Sequence, residues 1–109
     1  MAVGDPYLIL GNIPAESSVD ITLTSRVKIT GMAINSRSAD VQLYLSTNGV
    51  DFYNIGVIGL HNFGVCNTGT TNIHGNTSSA MFLPSGTVIR LKNFNTSSSR
   101  DYMINGINY

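Results

Sequence analysis

Residues 41–49 have the sequence VQLYLSTNG, a predicted strand that runs into a hairpin turn. Apolar side chains at its first, third and fifth positions alternate with more polar ones, and a period of two is typical of a strand with one buried face. Asn48-Gly49 follows directly, and this dipeptide strongly indicates a hairpin because both residues tolerate positive φ. The segment therefore predicts an antiparallel pair of strands.

The same alternation recurs on both sides of this segment, whereas no stretch keeps the three-and-four spacing of a full-length helix. Residues that favour turns, mainly Asn, Ser, Gly and Pro, separate the runs. About eight short strands at this density predict an all-β fold, a single antiparallel β-sandwich or jelly roll. The runs lie at 7–10, 19–24, 27–31, 41–46, 81–83, 88–92 and 102–107, and residues 56–59 are interpreted as strand glycines or bulges.

Length and composition indicate one domain that associates with other molecules. The chain has 109 residues, so residues 1–109 are predicted to form a single jelly-roll-like unit. Only 11% of the residues are charged, less than half of the usual share of about a quarter, and the formal net charge is zero. A surface with so little charge has weak protection against association. We therefore expect much of it to be buried against partners.

Charge and hydropathy exclude several classes of partner. Six basic residues are offset by six acidic ones and are spread along the chain, so no patch predicts nucleic-acid binding. The longest apolar stretch, 52–65, is interrupted by polar residues and glycines and is shorter than the roughly 20 residues that span a bilayer. Residues 1–6 lack the pattern of a signal peptide, and the single cysteine, Cys66, predicts folding in a reducing cytosol. Neither nucleic acid nor a membrane is an expected partner.

Cys66 lies between His61 and His74, which suggests either a thiol nucleophile or a metal site. The spacings of five and eight residues match no zinc signature, and a fourth ligand is missing. A nucleophile would also need an orienting partner and an oxyanion hole. In a symmetric oligomer, histidines from several protomers could still meet on the axis and hold an ion. The balance predicts a non-enzymatic protein with no catalytic residue, metal ligand or cofactor.

Two further features could mark a binding site. Residues 61–79 are polar and rich in glycine, and a loop of this length in a small domain is usually functional or ordered by a partner. An irregular strand followed by a floppy loop is the plain alternative. Tyr44, Tyr53 and Tyr102 could form a platform on which sugars stack, although single aromatic residues in strands more often pack in the core.

Five motifs follow one another along the chain: IPAESS at 13–18, VKITGMAIN at 27–35, VQLYLS at 41–46, FLPSGTVIRL at 82–91 and YMINGI at 102–107. Their succession resembles that of the small jelly-roll virion proteins of tailed bacteriophages. Those proteins share a turn similar to Pro-Ala-Gly, an Ile-rich strand that ends in Asn, a hairpin and a terminal strand with a Gly-Ile or Gly-Val pair. The longer and more polar segment 61–79 departs from that pattern.

The resemblance implies a structural virion protein, most directly a capsid decoration or cement protein that braces neighbouring capsid subunits and is commonly trimeric. Its partners would be the major capsid protein or other virion proteins and further copies of itself. It would be located in the virion after assembly in the host cytoplasm. The alternative is a tail- or fibre-associated module that binds a receptor or a carbohydrate. The family implies no active-site residues.

Two segments and one edge of the sandwich are the candidates for partner contacts. Residues 1–6 are predicted as an N-terminal arm that orders on a neighbour, with Asp5-Pro6 stiffening its exit. Residues 61–79 are the second choice. The candidate contact residues in and next to these segments are Asp5, Pro6, Tyr7, His61, Phe63 and His74.

Overall fold

The computed structural model describes residues 3–35, 40–58 and 81–109. These residues contain eight β-strands, and no helix among them has the length and hydropathy needed to cross a membrane. The strands are β1 (Pro6–Ile13), β2 (Ser18–Thr22), β3 (Val27–Ile34), β4 (Val41–Ser46), β5 (Tyr53–Ile58), β6 (Met81–Leu83), β7 (Val88–Asn93) and β8 (Arg100–Asn108).

The strands form two four-stranded sheets, sheet A with the order β1-β8-β3-β6 and sheet B with the order β2-β7-β4-β5. All paired strands are antiparallel. The β4–β5 connection stays within sheet B, and each other connection joins a strand of one sheet to a strand of the other. This is the strand order of an eight-stranded jelly roll. The predicted all-β antiparallel sandwich of about eight strands is confirmed.

The hydrophobic core lies between the two sheets and is built from the inward positions of the alternating strands. A fully buried aliphatic side chain contributes about 1.5–3 kcal/mol relative to an exposed one, so these positions supply most of the driving force for folding. The buried apolar side chains are Ile13, Leu23, Val27, Ile29, Met32, Ile34, Val41, Leu43, Ile58, Leu83, Ile89, Leu91 and Ile104.

A β-bulge in β3 allows the apolar side chains on both sides of it to point into the core. The register against β8 shifts between Ile29 and Gly31, so Thr30 is the extra residue. Side chains alternate along a strand, so in a strand without the bulge Met32, three residues after the inward Ile29, would point away from the core. Met32 is instead buried and lies opposite Ile104 of β8.

One end of the sandwich is closed by Asn93 of β7, whose side chain is 1% exposed. Its amide nitrogen donates to the carbonyl oxygens of Ile13 and Ser98 at 3.1 and 3.0 Å. Its side-chain oxygen accepts from the backbone N–H of Asn95 at 2.9 Å. These bonds tie β7 to the end of β1 and to the loop that precedes β8. A buried polar group satisfied in this way favours one arrangement of the chain.

Asn108 of β8, 2% exposed, holds the chain at the start of β1. Its amide nitrogen donates to the carbonyl oxygen of Asp5 at 3.1 Å, and its side-chain oxygen accepts from the hydroxyl of Ser25 at 2.6 Å. The backbone N–H of Gly4 donates to the carbonyl oxygen of Asn108 at 2.7 Å. The described part of the segment predicted as an arm thus lies against β8. That this segment orders on a neighbour stays a prediction.

Candidate functional site

The outer face of sheet A carries a group of exposed apolar side chains beside polar ones such as Asn12 and Asn105, beginning with its edge strand β1. Tyr7 and Ile13 of this strand belong to the core side. Leu8 and Leu10 point to the other side and are 60% and 68% exposed. A sheet with one solvated face normally carries polar side chains at such positions. Two exposed leucines in one strand therefore indicate a face that another surface covers.

The neighbouring strands extend this apolar surface across the sheet. Register places Leu10 beside Met103 of β8, and Met103 beside Ala33 of β3. Further along the same side, Ile107 of β8 and Phe82 of β6 are 44% and 59% exposed. We call this surface the apolar face. It consists of Leu8, Leu10, Ala33, Phe82, Met103 and Ile107.

A hollow of about 290 Å³ lies on one side of the apolar face. Leu10, Ala33 and Met103 form part of its lining, and Asn35 and Asp101 supply polar groups. The apolar face is therefore not flat, and its hollow could receive a protruding side chain of a partner.

Two cations stand at one end of the apolar face, each over an aromatic ring. The Lys28 ammonium nitrogen lies 5.3 Å from the centroid of the Phe82 ring, and the Arg26 guanidinium carbon lies 5.0 Å from that of Tyr109. The two rings meet edge to face with centroids 5.3 Å apart. A cation–π contact positions a charge without cancelling it. Neither cation forms an ion pair within the described part of the chain, and we call the two together the basic end.

Asp101 lies at the opposite end of the same face, which we call the acidic end. Its carboxylate accepts from the side-chain amides of Asn12 and Asn35 at 2.8 and 3.0 Å. Both donors are neutral, so the negative charge is oriented but not cancelled. Lys28 is in register with Ile107, six positions from Asp101 along β8. At about 3.3 Å per residue the two ends are roughly 20 Å apart.

The outer face of sheet B has the opposite character. Arg90 of β7 forms an ion pair with Asp20 of β2 at 2.8 Å, and its guanidinium carbon lies 3.8 Å from the centroid of the Phe52 ring. On β4 the hydroxyl of Tyr44 donates to the side-chain oxygen of Gln42 at 2.7 Å. The polar side chains of this face satisfy one another, which suits a surface that stays in contact with water.

A second ion pair joins the two sheets at the margin of the sandwich. Arg100 of β8 donates to Asp40, which precedes β4, at 2.8 Å, and the two side chains are 12% and 16% exposed. Asn95 donates to the same carboxylate at 3.0 Å. Burial raises the pKa of Asp40, but the hydrogen bonds from Arg100 and Asn95 and the charge of Arg100 together lower it by more. The pKa of Asp40 therefore lies below its ordinary value, as expected for a structural carboxylate.

A second hollow, of about 190 Å³, lies where edge strands of the two sheets meet. Leu45 and Tyr53 line it from sheet B, and Leu83 and Pro84 line it from the side of sheet A. Its described lining contains no carboxylate, amine or imidazole. This hollow suits an apolar side chain.

The predicted contact residues divide into two groups. Asp5 and Pro6 are exposed at the start of β1, whereas Tyr7 is half-buried against the core. Burial raises the pKa of Tyr7, and its interaction with Tyr102 raises it further. The second group and the cysteine lie outside the described residues: His61, Phe63, His74 and Cys66.

The outward leucines of β1 were not among the predicted contact residues. A signal was present, because residues 7–10 have the sequence YLIL, an apolar run without alternation. Such a run means that both sides of the strand are apolar. One side then belongs to the core, and the other is exposed on the outside of the sandwich.

The three tyrosines predicted as a stacking platform do not share a surface. Tyr102 packs against the core from sheet A, and Tyr44 is half-buried on the outer face of sheet B. Tyr53, 69% exposed, lines the second hollow. A platform needs rings side by side on one surface, so this prediction is wrong.

Comparisons with known proteins were made by family, by sequence and by fold. No family model matches the chain, and no curated protein matches it. One similar solved structure is the NLP core of Drosophila, with 15% sequence identity, a TM-score of 0.44 and coverage of 94% of this chain and 97% of that one. That protein is described in terms of pentamer formation and histone binding.

The predicted capsid decoration function is wrong, and so is the tail-module alternative. The partner prediction is wrong as well in naming capsid proteins, a trimer and no nucleic acid. The finding against them is that the similar structure is a histone-binding pentamer. Histone binding and pentamer formation are properties of the Drosophila protein.

The physical reason for the error is that the motifs behind the prediction, such as those at 13–18 and 82–91, are turn and strand patterns. Such patterns specify a jelly roll, and one fold serves many functions. The resemblance to phage virion jelly rolls and the location in a virion stay predictions.

Proposed function

We propose that this chain is a non-catalytic protein-interaction module that works through the apolar face of sheet A. The observation that carries the proposal is the contrast between the two outer faces of one sandwich. Sheet A exposes Leu8, Leu10, Phe82 and Ile107, whereas sheet B carries an ion pair and hydrogen-bonded polar side chains. A jelly roll that only needed to be soluble would be polar on both sides.

The size of the apolar face supports the same function. Strands lie about 4.8 Å apart and rise about 3.3 Å per residue, so the four strands of sheet A, with three to nine residues each, cover roughly 400–500 Å² in projection, polar positions such as Asn105 included. Contiguous apolar patches larger than a few hundred Å² are rare on soluble monomers and mark sites of interaction. The face is therefore large enough to serve as an interface.

Four of the six side-chain carboxylates in the described residues support a non-enzymatic role because they are engaged in structural contacts. Asp20 and Asp40 are paired with arginines. Asp51 accepts from the side chain of Asn48 in the β4–β5 turn at 3.0 Å. Asp101 is held by two asparagine amides. Each of these contacts fixes part of the fold.

Chemical labelling of single cysteines tests the proposal. In a Cys66→Ser background, Leu10→Cys places a thiol on the apolar face, and Thr22→Cys places a matched thiol at an exposed position of the other sheet's edge strand. We expect a maleimide to react with Leu10→Cys at least about fivefold more slowly in the cells that make the protein than in the purified chain at nanomolar concentration. Thr22→Cys should react equally fast in both. Equal reactivity of the two thiols in cells would overturn the proposal.

A further inference from the structure

We infer that the apolar face docks on the same face of a second copy of this chain, with the strands of the two sheets running in opposite directions across the interface. The basic end of each copy then meets the acidic end of the other. This inference rests on the proposed function and names the partner of its surface.

The chemistry of the face favours a second copy as the partner. Its centre is mainly apolar: Leu10 and Met103 are register partners. Leu8 shares the next outward row with Asn105, whose side-chain amide donates to the hydroxyl of Thr30 at 3.2 Å. Opposite charges stand at its two ends, with Lys28 at one and Asp101 at the other. A surface with an apolar centre and opposite charges at its ends complements itself after a two-fold rotation. Such isologous contacts are the commonest way in which protein subunits associate.

The area of the face meets the requirement of a stable dimer. Two copies contribute roughly 900 Å² in projection, and their accessible area is larger because the side chains stand out from the sheets. Specific interfaces bury at least about 1,000 Å² in total. Two sheets that pack face to face lie about 10 Å apart, and their strand directions differ by no more than about 30°. This is the usual packing of the two sheets in a β-sandwich.

The charges select one of two orientations. If the two-fold axis ran along the strands, ends of like charge would meet, with Lys28 near Lys28 and Asp101 near Asp101 of the two copies. If the axis runs across the strands, β1 faces β1 of the other copy with its direction reversed. The basic end then faces the acidic end at both margins of the interface. Like charges in contact are unfavourable, so the second orientation is the stable one.

The same orientation places a protruding side chain of one copy over the hollow of the other copy. On β1 the row of Leu8 and the row of Leu10 lie on either side of Ile9. A two-fold axis that crosses the strands at the row of Ile9 exchanges these two rows. Leu8 of each copy therefore lies over the row of Leu10 and Met103, which line the hollow in the other copy.

Sedimentation equilibrium of the purified full-length chain, from nanomolar to high micromolar concentration, tests the second copy as partner. We expect a reversible monomer–dimer equilibrium. Leu10→Lys should raise the dimer dissociation constant roughly tenfold or more, because each of the two copies then buries a charged lysine in the symmetric interface. Thr22→Lys, the matched substitution at an exposed position of β2, should leave it within about twofold. A chain that stays monomeric, or a dimer unaffected by Leu10→Lys, would overturn the inference.

Exchanging the charges tests the orientation. Lys28→Glu and Asp101→Lys should each weaken the dimer about two- to fivefold, the range of exposed ion pairs. The double variant should restore most of the loss, because the opposite charges face each other again. Single variants without loss, or a double variant without rescue, would contradict the antiparallel arrangement. Thermal unfolding of each variant serves as the control that the monomer remains folded.

The two tests separate the inference from the function on which it rests. If Leu10→Cys is protected in cells while the purified chain is monomeric, the proposed function stands and the second copy is excluded as the partner. If the purified chain dimerises through the apolar face and Leu10→Cys is protected in cells, both stand. If Leu10→Cys reacts freely in cells, the proposed function fails whatever the purified chain does.

Discussion

Gly11 of β1 lies beneath the ring of Tyr102, its register partner on β8. A β-carbon on Gly11 would stand 2.6 Å from the phenol oxygen and 2.7 Å from two ring carbons. The ring packs against the core and also lines the hollow of the apolar face. Because Gly11 has no side chain, the Tyr102 ring can lie directly over it, between the core and the apolar face.

Gly11→Ala should lower the free energy of unfolding by about 1–2 kcal/mol, because an added methyl group forces the packed ring to move. Equilibrium denaturation measures this loss. In the Gly11→Ala/Tyr102→Leu double variant the methyl group no longer meets a ring. The effect of Gly11→Ala should therefore shrink to less than half in the Tyr102→Leu background. Equal losses in the two backgrounds would contradict the close contact.

Replacing the buried Asn93 should destabilise the sandwich at one end. Asn93→Leu leaves the carbonyl oxygens of Ile13 and Ser98 and the N–H of Asn95 without the partners that they have now. We expect a loss of about 2–3 kcal/mol in urea denaturation, since buried polar groups without partners are costly. Asn54→Leu, at an exposed position on β5, is the control and should change stability by less than about 0.5 kcal/mol. A loss at Asn93 no larger than in the control would refute this role.

Glu16 adopts a left-handed backbone conformation, with φ at 57°. Glycine reaches this region without a steric penalty, although it also gains freedom in the unfolded chain. Glu16→Gly should therefore raise the free energy of unfolding by about 0.5 kcal/mol. Ser85→Gly, in an exposed turn where the backbone has no positive φ, should lower it by a similar amount. Calorimetric melting should therefore show a higher melting temperature for Glu16→Gly and a lower one for Ser85→Gly than for the unchanged chain. Shifts in the same direction would contradict the prediction.

Stability should fall at acid pH because two carboxylates are more acidic in the folded chain than in the unfolded one. The hydrogen bond from Arg90 lowers the pKa of Asp20, and the bonds from Arg100 and Asn95 lower that of Asp40 against the effect of burial. Below the unfolded pKa of about 3.9, the unfolded chain binds more protons at these sites. Their contribution is therefore present above about pH 4–5 and is lost as pH falls through the folded pKa values.

Thermal unfolding between about pH 2 and pH 7 checks this dependence. Asp40→Asn and Asp20→Asn should each reduce the acid-induced drop in melting temperature. In high salt the part due to Asp20 should shrink more, because its side chain is 43% exposed whereas that of Asp40 is 16% exposed. A drop that is unchanged in both variants would assign acid sensitivity to other groups.

The strands were predictable because alternation and turn chemistry act over a few residues. The runs at 41–46, 81–83 and 88–92 match β4, β6 and β7 to within a residue at either end. The run at 27–31 ended too early, because alternation breaks between Gly31 and Met32, and only pairing with β8 shows that the break is a bulge. The candidate site was not predicted, because the chosen contact residues came from a terminal segment and a loop rather than from the outer face of a sheet.

The sequence by itself determined the all-β class, the approximate number of strands and the positions of the turns, since each depends on neighbouring residues. Only the tertiary structure decided that β1 pairs with β8, whose residues lie about a hundred positions further along the chain. That pairing sets Leu10 beside Met103 and Leu8 beside Asn105, and it gathers the outward apolar side chains of β1 and β8 on one face. Period-two alternation defines two sides for every strand, but contacts between distant strands decide which side enters the core and what lies beside it.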